Sequence, residues 1–128
     1  MIFVDTNYFL RFLIGDSKQF EEAKLLFEQG ASGKKKLFTS LVVFFEIYWV
    51  LSSFYRKNKK QLVKILSGIL QMNFITLKER QILSKAIELF FKNNLNLEDA
   101  YNLVYAKENK AISLVTFDRK LYKKFKNL

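Results

Sequence analysis

Cysteine, histidine and proline are all absent from the 128 residues. Without cysteine there is no disulfide, no thiolate zinc site and no cysteine nucleophile. Without histidine there is no Ser-His-Asp or Cys-His chemistry and no imidazole ligand. Any hydrolytic chemistry must then rest on carboxylates, lysines or hydroxyls, with a hard metal ion bound through oxygen. No Gly/Ser linker and no internal repeat divides the chain. The longest apolar stretch, residues 41–51, is interrupted by Glu46 and falls short of the roughly 20 residues of a membrane span. The start has no basic leader ahead of an apolar core, so no signal peptide is read. These absences point to one cytoplasmic domain, residues 1–128, with no membrane segment.

Acids are scarce beside bases. Twelve Asp and Glu face 22 Lys and Arg, a net charge of +10. A small domain this basic usually meets polyanions, with nucleic acid the default partner; a merely lysine-rich solvated surface is the plainer alternative. Half the residues are apolar, enough for a real core and too many for disorder.

The patterning alternates short apolar runs with helical periods. Residues 2–5 read as a buried strand. A short helix follows to Ile14, closed near Gly15, and Ser17 caps the next. Leu37-Phe38-Thr39 is a second strand, and Ser40 caps a helix running to about Tyr55. Asn58 with Gln61 starts a helix to about Met72. Phe74-Ile75 is a minimal third strand, and the capping-box pattern of Thr76 to Glu79 opens a helix to about Lys92. Asn96 caps a helix to about Glu108, residues 111–115 form a fourth strand, and a last helix runs from Arg119 to about Phe125. Strands alternating with helices predict an α/β fold: a three-layer α/β/α sandwich on a small, mostly parallel sheet of four to five strands.

Four acids draw notice by their settings. Asp5 follows the apolar run of the first strand, at the carboxyl end where open α/β sheets bind ligands. Glu46 is the one charge in an apolar helical stretch. A buried helix with one carboxylate needs a partner, a proton or a cation in a cleft; a salt bridge is the plain explanation. Asp99 opens a late helix, where the helix dipole alone would favour it, and Asn102 shares its face. Asp118 comes just after the fourth predicted strand and suits a helix cap equally well. Asp16, the remaining aspartate, follows Gly15 in a polar turn and looks like surface. Taken together, Asp5, Glu46, Asp99 and Asp118 make a plausible oxygen-ligand site.

Over nearly its whole length the chain resembles the PIN-domain family, and within it small toxin nucleases of the VapC type. The residues that carry the likeness are Val4-Asp5-Thr6-Asn7, Phe45-Glu46-Ile47, Leu97-Glu98-Asp99-Ala100 and Thr116-Phe117-Asp118-Arg119, in the family's order and spacing. The resemblance implies a Mg²⁺- or Mn²⁺-dependent ribonuclease, the toxin of a type II toxin–antitoxin pair. Asp5, Glu46, Asp99 and Asp118 would be its catalytic and metal-binding acids, supported by Asn7, Thr116 and Thr6. It also implies a small antitoxin partner and a homodimer. Arg11, Arg119 and Lys120 lie near the predicted acidic edge, as candidates to reach RNA phosphates. The family's usual fifth strand has only residues 124–128 to draw on, a short and polar stretch.

Two other readings compete. Phosphoaspartate enzymes of the haloacid dehalogenase type also work without histidine, but they want a second aspartate two residues after the first, where this chain has Asn7. The other is a PIN-like RNA-binding or RNA-processing scaffold that does not cleave.

Overall fold

Short parallel strands align the front of the chain. In the computed structural model, which describes residues 1–15 and 18–128, the strands are β1 (Ile2–Phe3), β2 (Leu37–Phe38) and β3 (Ile75–Thr76). They pair in the order β1-β2-β3, all parallel, with Ile2 level with Leu37 and Ile75, and Phe3 level with Phe38 and Thr76. Alternation along a strand sends these two rows to opposite faces. Leu37 and Ile75 are buried. On the other face the Phe3 and Phe38 rings meet edge to face at 5.3 Å. Asp16 and Ser17, read from the sequence as a surface turn and a helix cap, lie outside the described residues.

The chain divides into two compact units, Met1–Arg80 and Gln81–Leu128. The first contains the sheet and four helices: α1 (Thr6–Ile14), α2 (Lys18–Ala31), α3 (Leu41–Ser53) and α4 (Lys59–Leu70). Gly15 ends α1 in the left-handed region (φ 72°), as its position after the last apolar turn predicts. Phe9 and Phe12 of α1 pack on Phe27 of α2 with centroids 5.4 and 4.9 Å apart. Gly30 lets α2 lie close to the sheet, since a Cβ there would come within 2.6 Å of Leu37 Cδ1. Asn58 and Gln61 form the reciprocal capping box expected at the start of α4.

The other expected capping box does not form. Thr76 is taken into β3, one residue later than the strand read from the sequence, and Glu79 adopts φ 61°. The helix therefore begins at Arg80, whose guanidinium donates to the carbonyls of Leu70 and Ile75. Pairing with Phe38 removed Thr76 from the capping role that its local pattern suggests.

The second unit is helical. It contains α5 (Arg80–Lys92), whose first residue closes the preceding unit, then α6 (Leu97–Glu108) and α7 (Arg119–Lys126). Asn96 caps α6 as expected, accepting from Asp99 N–H at 2.8 Å. Leu103, Leu121 and Phe125 form the core, with Leu89, Leu95, Ala106, Ala111 and Leu114 packed around them.

Among the described residues the sheet has three strands rather than the four to five expected from the sequence. Residues 111–115 form no strand among the described residues. A strand exists only where a neighbour completes its hydrogen-bond ladder, and the second unit contains no other strand. Instead Lys110 (φ 59°) ends α6 and Ala111 N–H bonds Ala106 O at 2.9 Å. Leu114 then anchors to the core, while Ile112, Val115 and Phe117 stay exposed. Among the described residues, no helix is long and apolar enough to cross a membrane.

Candidate active site

Asp5 occupies the N-cap position of α1, just beyond β1, with extended backbone (φ −85°, ψ 167°). An N-cap aspartate ordinarily accepts from the second or third amide of its helix. Asp5 makes no such bond and its side chain is exposed. Its carboxylate is therefore available for chemistry at the end of the strand. The backbone beneath it is fixed: Val4 N–H bonds Phe38 O at 2.9 Å, and the buried Thr39 hydroxyl donates to Val4 O at 2.8 Å. Sequence reasoning missed Thr39. A hydroxyl at the end of an apolar strand, flanking the acid-bearing strand, is the signal that marks it.

Thr6, next along the chain, is buried and its hydroxyl donates to Glu46 Oε2 at 3.2 Å. A residue adjacent to Asp5 thus holds the second acid of the set. Glu46 differs from expectation in one respect: it is exposed rather than enclosed in a buried helix. The reason lies in α3 itself. Val43, Phe44, Ile47, Tyr48 and Leu51 supply the buried face, and the apolar Val42 and Trp49 are left outside, 66% and 63% exposed, on the same side as Glu46. Apolar composition alone did not reveal which side was open. Asn7 is exposed and lines a small hollow with Tyr8, Arg11, Gln19, Glu22 and Ala23. Arg11 is held there by its Nε–H bond to Gln19 Oε1 at 2.8 Å.

The other two acids lie in the second unit. Asp99 is in the first turn of α6, half-buried, with its own N–H occupied by Asn96. Its neighbour Glu98 has its carboxyl pushed above the ordinary glutamate range by burial, with the Asp99 charge adding to the shift and a backbone hydrogen bond opposing it. Asp118 is the N-cap of α7: its Oδ1 accepts from Leu121 N–H at 3.1 Å, and its own N–H donates to Thr116 Oγ1 at 3.0 Å. The cap role weighed for Asp118 is therefore present, with Thr116 holding its backbone. Arg119 and Lys120 follow at the start of α7, both exposed.

Two of the four acids thus belong to each unit. Among the described residues no group of three or more acids stands close enough to hold a metal ion. The donor chemistry still fits a hard divalent ion. Every candidate is a carboxylate, no thiolate or imidazole ligand exists in the chain, and Mg²⁺ commonly binds through one or two carboxylates while keeping waters.

Comparison with known proteins bears on the chain as a whole. The PIN domain profile matches residues 2–126. A VapC ribonuclease of Aquifex aeolicus (strain VF5) is 25% identical over 123 residues, covering 96% of this chain and 91% of that protein. With a match running from β1 to the last residue of α7, the chain belongs to the PIN domain family.

Proposed function

We propose that this chain is a divalent-metal-dependent endoribonuclease acting in the cytoplasm, the toxin of a type II toxin–antitoxin pair. The observation that carries it is the state of Asp5: a carboxylate at the end of β1, released from capping its own helix, beside a threonine that tethers Glu46. Family membership, the ribonuclease named among its relatives and the net charge of +10 support the same reading. So does the resemblance of the sequence around Asp99 and Asp118 to the later acidic motifs of the family.

In this scheme Asp5 and Asp99 hold the ion, and Asp118 completes the set or holds a second one. A bound Mg²⁺ or Mn²⁺ would supply relief of charge on the phosphate and a more acidic water. Glu46, with one oxygen fixed by Thr6, orients the attacking water or takes its proton. Asn7 and Thr116 support the acids, and Arg11, Arg119 and Lys120 engage RNA phosphates, which position a strand without specifying its sequence. A small antitoxin and a second copy of the chain are the proposed protein partners.

The direct test is cleavage of labelled RNA by purified protein in Mg²⁺, Mn²⁺ or EDTA. Cutting that needs the ion is expected; binding without cutting under every condition supports the scaffold reading instead. Independently of activity, Mn²⁺ should raise the melting temperature, because an ion that binds only the folded chain stabilises it by mass action. A melting curve unmoved by saturating Mg²⁺ and Mn²⁺ would contradict the scheme.

Thr6→Val keeps the shape and removes the hydroxyl that holds Glu46. Loss of such a supporting hydrogen bond lowers activity by about 10- to 100-fold. The melting temperature should fall by only a few degrees, about 1 kcal/mol of hydrogen bond. Unchanged cleavage would show that the Thr6–Glu46 bond does not position the acid for the reaction.

A further inference from the structure

We propose that α7 is a docking surface for unpaired RNA, with Tyr122 stacking on a base and Arg119, Lys120 and Lys123 holding the phosphates on either side. The inference rests on the ribonuclease reading for its biology but not for its measurement. It adds to that reading a strand state, a stacking residue and a defined helix face.

The sequence of α7 is Arg119-Lys120-Leu121-Tyr122-Lys123-Lys124-Phe125-Lys126: five cations in eight residues, with no acid from 119 to the end of the chain. Leu121 and Phe125, one turn apart, are buried in the core of the second unit. They fix which side of the helix faces out. Arg119, Tyr122, Lys123 and Lys126 then fall along one outward stripe, at the spacing of successive helical turns.

Two cations have evident local roles. Lys124 Nζ donates to Asn93 Oδ1 at 2.7 Å, and Lys126 Nζ lies 5.7 Å from the centre of the Tyr122 ring. Ion pairs such as Lys24–Glu28, Lys85–Glu108 and Lys92–Glu88 lie on other helices. Arg119, Lys120 and Lys123 line an open groove with Tyr122, which is 41% exposed. The charge is thus concentrated on one face, around a ring.

That combination selects the partner. A patch of cations alone fits any polyanion, duplex or single strand. A ring set among cations adds a surface on which a base can stack, and only an unpaired base offers its face. A cation against one side of the ring also strengthens an aromatic platform. An acidic peptide would satisfy the charges but would have no particular use for Tyr122.

The experiment is fluorescence anisotropy of a short labelled mixed-sequence RNA, single-stranded and as its duplex, with the full chain in EDTA at several salt concentrations. The single strand is expected to bind more tightly than the duplex. Tyr122→Ala should weaken the single strand by about five- to a hundredfold, while Tyr122→Phe keeps the affinity. The double variant Lys120→Ala, Lys123→Ala should reduce the log–log salt slope by about 1.4, two phosphates at about 0.7 each. Melting curves of all variants should match the wild type, since these side chains lie outside the core.

Equal binding of duplex and single strand, an unaffected Tyr122→Ala variant, or no RNA binding at all would overturn the proposal. Tighter, Tyr122-dependent binding of a labelled acidic peptide would overturn it in favour of a protein-docking face. The two readings fail separately. RNA that is cut normally while Tyr122→Ala binds like wild type removes the α7 surface and leaves the nuclease. Tyr122-dependent binding with no cutting in any metal removes the nuclease and leaves the surface.

Discussion

Asp5→Asn is expected to reduce RNA cleavage by at least about a hundredfold, the scale of a lost acid–base or ion-holding group, while leaving the fold intact. Asparagine matches aspartate in shape and is itself a good N-cap residue. The Asp5 carboxylate makes no cap bond, so its removal takes nothing from α1. The Val4 backbone beneath it is held by Phe38 and Thr39, neither of which depends on the carboxylate. The melting temperature should therefore change by no more than about 2 °C, as for surface changes away from structural features. Steady-state kinetics with RNA substrate, run beside a melting curve, check both halves. Cleavage within a few-fold of wild type would remove Asp5 from the reaction. A large drop in melting temperature would make it a structural residue.

The largest stability effect should come from the opposite side of the helix that carries Glu46. Phe44 is 1% exposed, in the middle of the buried face of α3. Phe44→Ala should cost about 3–5 kcal/mol, the transfer free energy of the ring plus the cavity it leaves. That is a large part of the about 5–15 kcal/mol available to a domain and lowers the melting temperature by about 10–20 °C. Trp49→Ala, on the same helix but 63% exposed, should stay within about 0.5 kcal/mol. Thermal denaturation of the two variants side by side reads the contrast. Equal destabilisation by both would mean that the outer face of α3 is covered in solution.

What the sequence made legible follows from the range of the interactions involved. Helix boundaries set by short-range chemistry were readable from local residues: the capping box of Asn58 and Gln61, the Asn96 cap, and Gly15 closing α1. The first two strands were legible as short apolar runs, though β1 ends at Phe3 with both residues exposed rather than running buried to Asp5, and β2 ends at Phe38 rather than Thr39. Failures came where a distant partner decided the outcome. Thr76 matched a capping box but was claimed by Phe38, far away in sequence. Residues 111–115 have strand composition, but a strand needs a ladder neighbour, and local pattern cannot supply one.

The candidate site divides along the same line. The proposal that Asp5, Glu46, Asp99 and Asp118 form one acidic set rests on their order and spacing in the chain. Which hydrogen bonds hold them was not legible there. The Thr6–Glu46 bond joins residues forty apart in the chain, and Thr39 reaches back to Val4 across 35 positions. The exposure of Glu46 depends on which side of an apolar helix meets the core, and a helix that is apolar nearly all round gives no periodic signal to decide it.

The central claim is that acids from the two halves of the chain serve one reaction. A cleavage assay on Asp5→Asn, Asp99→Asn and the double variant, with Mg²⁺ or Mn²⁺ and the same RNA, tests it most directly. Groups that act as a unit are strongly non-additive: removing one does most of the damage. Each single variant should lose nearly all metal-dependent cleavage, and the double variant should be no worse than the weaker single. Losses that multiply in the double variant, or an Asp99→Asn protein that cuts like wild type, would contradict a shared site.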